Sequence, residues 1–479
     1  MRPVLEDLLN RIRQLLSPQP EKPPTLALAL SGGGARSAYQ AGVLRYMAEI
    51  APDLRIPILT GVSAGAINTA HLANHTGTFA DAADTLVDSW RGLSLDHVVK
   101  PESGLQMLWG MVWPSTSAPS PFPTADDVRR THGLLDTTPL WTYLRRHLNA
   151  PNGVLTGIGS NLQSGDLRAV AVITTNYATG QTVTWVQGDD FDVWERPNRI
   201  SQHAQLTVDH VMASTSLPLV FPAVRIGDAW YGDGGIRLSA PLAPAVHLGG
   251  DRILVISNRY KRSRAEANRP AVQGYPPTAQ IIGVLMNALF ADALDQDAFT
   301  LERVNKLVEE LPSHRRHGMR PVQLLQLRPS VDLGRLAHDF QGTLPSGIRF
   351  LTSGLGTTET QSPDWLSVLL FERDYIDRLI DIGYHDAHAQ HRTIAAFLDG
   401  VATTRSLSAT DGTDWAAPGA EGNGAPPKGA PPGRAAPPPA REPSAENSPT
   451  GHAGGSEDAA APPAPGTKRS GNSGTSYTS

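Results

Sequence analysis

Apolar positions along the chain fall into two kinds of run. Short continuous runs read as buried strands, and stretches with apolar residues three and four apart read as helices. Thr25–Leu30, Ile58–Thr60, Leu167–Thr175 and Arg252–Ser257 are of the first kind. Gln181–Gln187 alternates around Val183 and Trp185 and follows a Thr179-Gly180 turn, which predicts a hairpin with Leu167–Thr175. Helical spacing follows the first strand through Tyr39, Val43, Leu44 and Met47, and the second through Ala64, Ala66, Ile67 and Ala70. Leu134, Leu135, Leu140, Tyr143, Leu144 and Leu148 predict another core-facing helix. Val208–Ser216 is small and apolar like a buried helix, ended by Pro218, Phe221 and Pro222. Strands alternating with helices predict an α/β arrangement.

The pattern changes toward both ends. Residues 1–17 place Val4, Leu5, Leu8, Leu9, Ile12, Leu15 and Leu16 on one helical face, with Arg2, Arg11 and Arg13 elsewhere. This predicts an N-terminal amphipathic helix and connector over 1–22. The face has no aromatic residue, which favours packing on the protein's own body over an interfacial helix on lipid. Gly104–Trp113 is apolar and aromatic and runs into the irregular Pro114–Thr124. It reads either as a lid or lipid-contacting flap or as a satellite cluster under a loop. After a main domain at 23–260, residues 261–402 are mostly helical: Ile281–Leu294, Phe299–Leu311, Trp365–Phe371, Ile376–Ile382 and a run to Phe397, with one strand at Pro321–Leu327. Residues 403–479 are Pro, Gly, Ala and Ser with almost no large apolar side chain, so they are expected to be disordered. No internal repeat is visible.

Composition removes several classes of function. A net charge of −5 over 479 residues gives no general nucleic-acid footprint. The absence of cysteine excludes disulfides, thiolate metal sites and a thiol nucleophile together. No segment is apolar enough to span a bilayer, and the N-terminus lacks a secretory leader, which favours a cytoplasmic location with at most peripheral membrane contact.

The chemistry concentrates at three glycine-rich turns. Gly61-Val62-Ser63-Ala64-Gly65 lies between the second strand and its helix. It would hold Ser63 on a sharp turn at a helix N-terminus, where backbone N–H groups favour an anion. A buried turn of small residues is the bland alternative. Ser31-Gly32-Gly33-Gly34-Ala35-Arg36-Ser37 follows the first strand and admits two readings. One is a dinucleotide loop, but Ser37 stands where a third glycine is needed, and the candidate acid, Asp53, precedes the next strand rather than ending it. The other is an oxyanion loop, delivered beside Ser63 because successive parallel strands carry their loops to one sheet edge. Arg36 would then pair with an acid and brace the loop. Trp230-Tyr231-Gly232-Asp233-Gly234-Gly235 offers a carboxylate in a glycine turn, or merely an Asp-Gly hairpin. None of the 15 histidines lies in such a setting; His71 and His75 fall on the helix after Ser63. A Ser–Asp pair therefore fits better than a Ser-His-Asp triad.

Gly32-Gly33-Gly34-Ala35-Arg36, Gly61-Val62-Ser63-Ala64-Gly65 and Asp233-Gly234-Gly235, in this order, resemble the patatin-like phospholipase family. Ala213–Pro222 resembles the family's stretch before its aspartate, and the likeness covers roughly residues 25–260. Ser37 departs from a glycine common in the family. The resemblance implies a mainly parallel central sheet flanked by helices, with the helical region and the tail as extensions. It implies hydrolysis of lipid acyl esters by Ser63 and Asp233. Gly32, Gly33, Gly34 and Ala64 would form the oxyanion hole, supported by Arg36, Gly61, Gly65, Gly234 and Gly235. Neither metal nor other cofactor is required, and the partner is a lipid or membrane surface rather than a nucleotide or nucleic acid. Acyl transfer to an alcohol and a catalytically idle lipid-binding protein remain the alternatives.

Overall fold

A computed structural model describes residues 24–100, 135–188, 191–218, 220–268, 292–340 and 364–401. Residues 1–410 form one compact unit, to which every described residue belongs. The N-terminal helix, the Gly104–Thr124 segment, residues 281–291 and the tail beyond 402 lie outside the described residues.

The ten strands among the described residues are β1 (Leu26–Leu30), β2 (Ile58–Val62), β3 (Ala169–Asn176), β4 (Thr182–Gly188), β5 (Glu195–Arg196), β6 (Arg199–His203), β7 (Val224–Ile226), β8 (Ala229–Asp233), β9 (Arg252–Ile256) and β10 (Gln323–Leu327). They form one sheet in the order β10-β9-β1-β2-β3-β4-β6-β5. The run from β10 to β3 is parallel throughout. β3 and β4 make the expected antiparallel hairpin. The β7–β8 pair stands off the main path, and β8 joins antiparallel to the carboxyl end of β3.

The helices that matter below are α1 (Ala38–Ile50), α2 (Ala64–Asn74), α3 (Phe79–Arg91), α4 (Thr138–His147), α5 (Val208–Thr215), α6 (Asp292–Glu310), α7 (Asp364–Leu369), α8 (Arg373–Ala389) and α9 (His391–Leu398). β1 shows why the sheet is covered on both faces. Leu26, Leu28 and Leu30 belong to the large core beneath α1, α2 and α8, while Ala27 and Ala29 face a second core with Ile253, Val255 and Leu294. Alternate residues point to opposite faces, and both sets are apolar.

Two expectations change. Asp233-Gly234 is not a hairpin turn: the β7–β8 hairpin turns at Gly227-Asp228, and Asp233 ends β8. The chain after 261 also does more than extend the fold, since β10 is a sheet strand and α8 buries Tyr375, Ile376, Leu379 and Ile380 in the large core. No helix among the described residues is long and apolar enough to cross a membrane.

Candidate active site

β1 and β2 are adjacent and parallel, with Leu30 opposite Gly61, so the loops after them emerge side by side. β2 ends at Val62 and α2 begins at Ala64, leaving Ser63 alone in the turn with φ 56°. A positive φ is costly for any residue with a Cβ. Two contacts hold it. The Ser63 N–H donates to Ser214 Oγ at 2.9 Å, and Ser214 Oγ donates to the Ile173 carbonyl at 2.6 Å. On the other side, Gly65 lies flat against the β1 end: a Cβ there would come within 2.6 Å of the Ser31 carbonyl oxygen.

Asp233 reaches the same place from β8. Its register opposite Thr174 is locked by its N–H donating to the Ser216 carbonyl and its carbonyl accepting from Thr175 Oγ1, both at 2.9 Å. The carboxylate is fully buried. Oδ1 accepts from the Gly235 N–H at 2.8 Å, whereas Oδ2 has no hydrogen-bond partner among the described residues. Burial pushes the pKa up to about 7. The Ser63 hydroxyl, followed by the Gly235 N–H, offsets part of that rise.

The glycine loop closes the third side. Gly32 faces the serine so closely that a Cβ there would sit 2.7 Å from Ser63 Cβ. Gly34 opens a 3-10 turn through Ser37, and Ala64 opens α2; first-turn N–H groups have no intrahelical acceptor. The loop is fastened by amides. Asn258 Nδ2 donates to the Ser31 and Gly32 carbonyls at 3.3 and 3.1 Å and to Ser37 Oγ at 2.9 Å. Gln40 Nε2 donates to the Ser31 carbonyl at 2.8 Å. Asn68 Nδ2 donates to Gln40 Oε1, and Trp90 Nε1 donates to Asn68 Oδ1, both at 2.8 Å.

The patatin-like phospholipase family model matches residues 28–246, a span that begins in β1 and takes in the loop, the elbow and β8. Residues 28–246 belong to the patatin-like phospholipase family. No curated protein matches the chain. Three solved structures show the range of likeness. VipD from Legionella pneumophila is 13% identical, with 81% of each chain covered and a TM-score of 0.30. Human GIVD cytosolic phospholipase A2 is 13% identical, with 81% of this chain and 61% of that one covered, at 0.38. ExoU, the type III effector of Pseudomonas aeruginosa, is 16% identical, with 79% and 61% covered, at 0.25. The chain spans about three fifths of the length of the last two.

Within the patatin-like domain, a narrow cleft leads to Ser63. Leu30, Val62, Ile173 and Leu238 line it, and Leu294 is added from α6, beyond the matched span. His71 bonds with the Ala82 carbonyl at 3.0 Å, and burial holds its pKa down at about 4. Among the described residues no histidine is hydrogen-bonded to Ser63 or Asp233. Asp53 lies at the amino ends of β2 and β3, beside Arg55 and Leu167 and on the opposite edge from the glycine loop, where a ribose-binding acid would be of no use. Arg36 Nε donates to Ser367 Oγ at 2.6 Å, a hydroxyl on α7.

Asn258, Gln40, Asn68 and Ser367 escaped sequence reasoning. Asn258 carries the one readable signal, a polar residue just past the end of a buried strand. That signal is useless until β9 is known to lie beside β1.

Proposed function

We propose that the protein hydrolyses carboxylic esters of lipids through Ser63 and Asp233. The observation that carries this is the buried carboxylate oxygen, Asp233 Oδ2, left without a partner among the described residues while the carboxyl's pKa is raised into the working range of a general base. Asp233 takes the Ser63 proton as Ser63 Oγ attacks the ester carbonyl. Charge develops on the carbonyl oxygen, and N–H groups of Gly33, Gly34 and Ala64, with Gly32 shaping the approach, would receive it. The tetrahedral species collapses to an acyl-serine, and the proton on Asp233 passes to the leaving alcohol. Water then gives a proton to Asp233 and attacks the acyl carbon; Ser63 leaves with that proton, and the fatty acid is released.

The apolar cleft supports an acyl chain as the group beside Ser63, since it offers aliphatic side chains and little polar surface. The site's own groups supply both proton transfer and charge stabilisation. The deciding experiment is a panel of phospholipids, lysophospholipids and neutral esters given to wild type and Ser63→Ala, with products identified by mass. Wild type should release free fatty acid. Ser63→Ala should lose at least ~10³-fold in rate and all labelling by a fluorophosphonate. Retained turnover in Ser63→Ala removes the serine from the mechanism.

A further inference from the structure

The segment matched by the family ends at residue 246, yet the glycine loop is gripped from outside by a piece of chain more than a hundred residues later. Two contacts from α7 converge on it. Ser367 is fully buried, and its Oγ accepts from Arg36 Nε at 2.6 Å. One residue on, the Val368 carbonyl lies against Gly34, the loop glycine held at φ 57°. A Cβ at Gly34 would run into that carbonyl and come within 2.6 Å of Val368 Cγ1. The space over Gly34 is therefore filled by α7 backbone, and the positive φ is held there by contact as well as by the absence of a side chain.

We propose that Ser367 is a positioning residue for the oxyanion loop: through Arg36, and together with the Val368 backbone, it aims the Gly33 and Gly34 N–H groups at the carbonyl attacked by Ser63. This rests on the hydrolase mechanism above. Arg36 lies two residues after Gly34 in the same 3-10 turn, so its bond to Ser367 ties that turn to α7. Asn258 fastens the inner face of the loop through the Ser31 and Gly32 carbonyls, and α7 fastens the outer face. Oxyanion donors work only when they are preorganised, so a loop held on one face should bind substrate normally and stabilise the transition state poorly.

The test is a kinetic comparison of full-length wild type, Ser367→Ala, Ser367→Thr and the Arg36→Gln/Ser367→Ala pair on a soluble short-chain ester. Ser367→Ala should lower kcat about tenfold with KM within twofold, and slow fluorophosphonate labelling by a similar factor. Ser367→Thr, which keeps the hydroxyl, should restore most of the rate. Arg36→Gln alone, measured alongside, should cost at least as much as Ser367→Ala, and the double variant little more than Arg36→Gln, because Ser367 acts on the loop through Arg36. If Ser367→Ala accumulates poorly, Arg36→Gln and Ser367→Thr carry the comparison. Wild-type kcat in Ser367→Ala or Arg36→Gln, a defect confined to KM, or simple multiplication of the two losses would overturn the proposal. Ser63→Ala, run alongside, separates the two levels: if it keeps its activity the mechanism fails, and if it is dead while Ser367→Ala is normal only the positioning role fails.

Discussion

Asp233 makes the sharpest claim, because its role depends on a pKa that burial has moved. An exposed aspartate titrates near 3.8 and would be ionised at every pH where the protein is assayed. Buried as it is, Asp233 is pushed up to about 7. At pH 6 only about a tenth of the molecules then carry the base form, and at pH 8 about nine tenths do. With a neutral short-chain ester, kcat/KM should rise about tenfold between pH 6 and 8 and flatten above, with one inflection near 7. The same shift has a signature in stability. The folded-state pKa exceeds the unfolded one, so between about pH 4 and 7 the native state binds more protons than the unfolded chain. The group's contribution is fully present below pH 3.8 and lost as pH rises through about 7. Asp233→Asn keeps the shape and never ionises. It should be inactive, yet melt above wild type at pH 8 by the equivalent of up to about 4 kcal/mol, with the gain vanishing near pH 4. A rate flat from pH 5.5 to 8.5, or an Asp233→Asn variant less stable than wild type at pH 8, refutes the assignment of Asp233 as a buried, desolvated base.

Three further outcomes follow from the packing around the elbow. Ser214→Ala removes both the acceptor of the Ser63 N–H and the donor to the Ile173 carbonyl; it should cost ~1–3 kcal/mol in denaturant unfolding and about tenfold in kcat. Gly65→Ala drives a Cβ into the Leu30 and Ser31 carbonyls and should yield little soluble protein, with no activity in what remains. His71→Gln should leave kcat/KM within twofold. Burial lowers the His71 pKa to about 4, so the folded state loses stability as pH falls from 6.5 through that value, and the variant should flatten this acid limb of the melting profile.

How much of this was legible in the sequence depended on whether the deciding interaction was local. β1, β2, β3, β4 and β9 are continuous or alternating apolar runs bounded by turn residues, and their positions were plain. β6, with the sequence Arg-Ile-Ser-Gln-His, and the three-residue β7 carry no such pattern; they exist because neighbouring strands offer edges to pair with. Ser63 and the glycine loop were legible for the same local reason, each being a strand end followed at once by a helix. Asp233 was marked by its glycines but equally readable as a hairpin turn, and only its pairing with Thr174 on β3 separates the two. The order β10-β9-β1 was not legible at all. β9 follows β1 by more than 220 residues, and parallel pairing over that distance leaves no trace in either strand. Asn258 and Ser367 share that fate, since both act on the loop only once the far end of the chain has folded onto it.

The site combines features that oppose folding, and this explains why its supports lie so far apart in the chain. Ser63 sits at positive φ, a conformation that costs about 1–3 kcal/mol. Asp233 buries a carboxylate with one oxygen unpartnered among the described residues, at a further cost whenever it is ionised. Under the proposed mechanism neither can be stabilised by adding bonds to the reacting atoms, because a donor on Oδ2 would lower the pKa that the base role requires, and a side chain beside Ser63 would fill the place proposed for the ester. Stabilisation has to come through the backbone and from outside the cleft. The serine is held by its N–H to Ser214, the aspartate by its N–H to Ser216 and its carbonyl to Thr175, and the loop by Asn258. Each contact fixes position without touching Ser63 Oγ or Asp233 Oδ2. On this logic, a substitution that satisfies Oδ2 should raise stability and lower activity together, and one that loosens a backbone support should lower both.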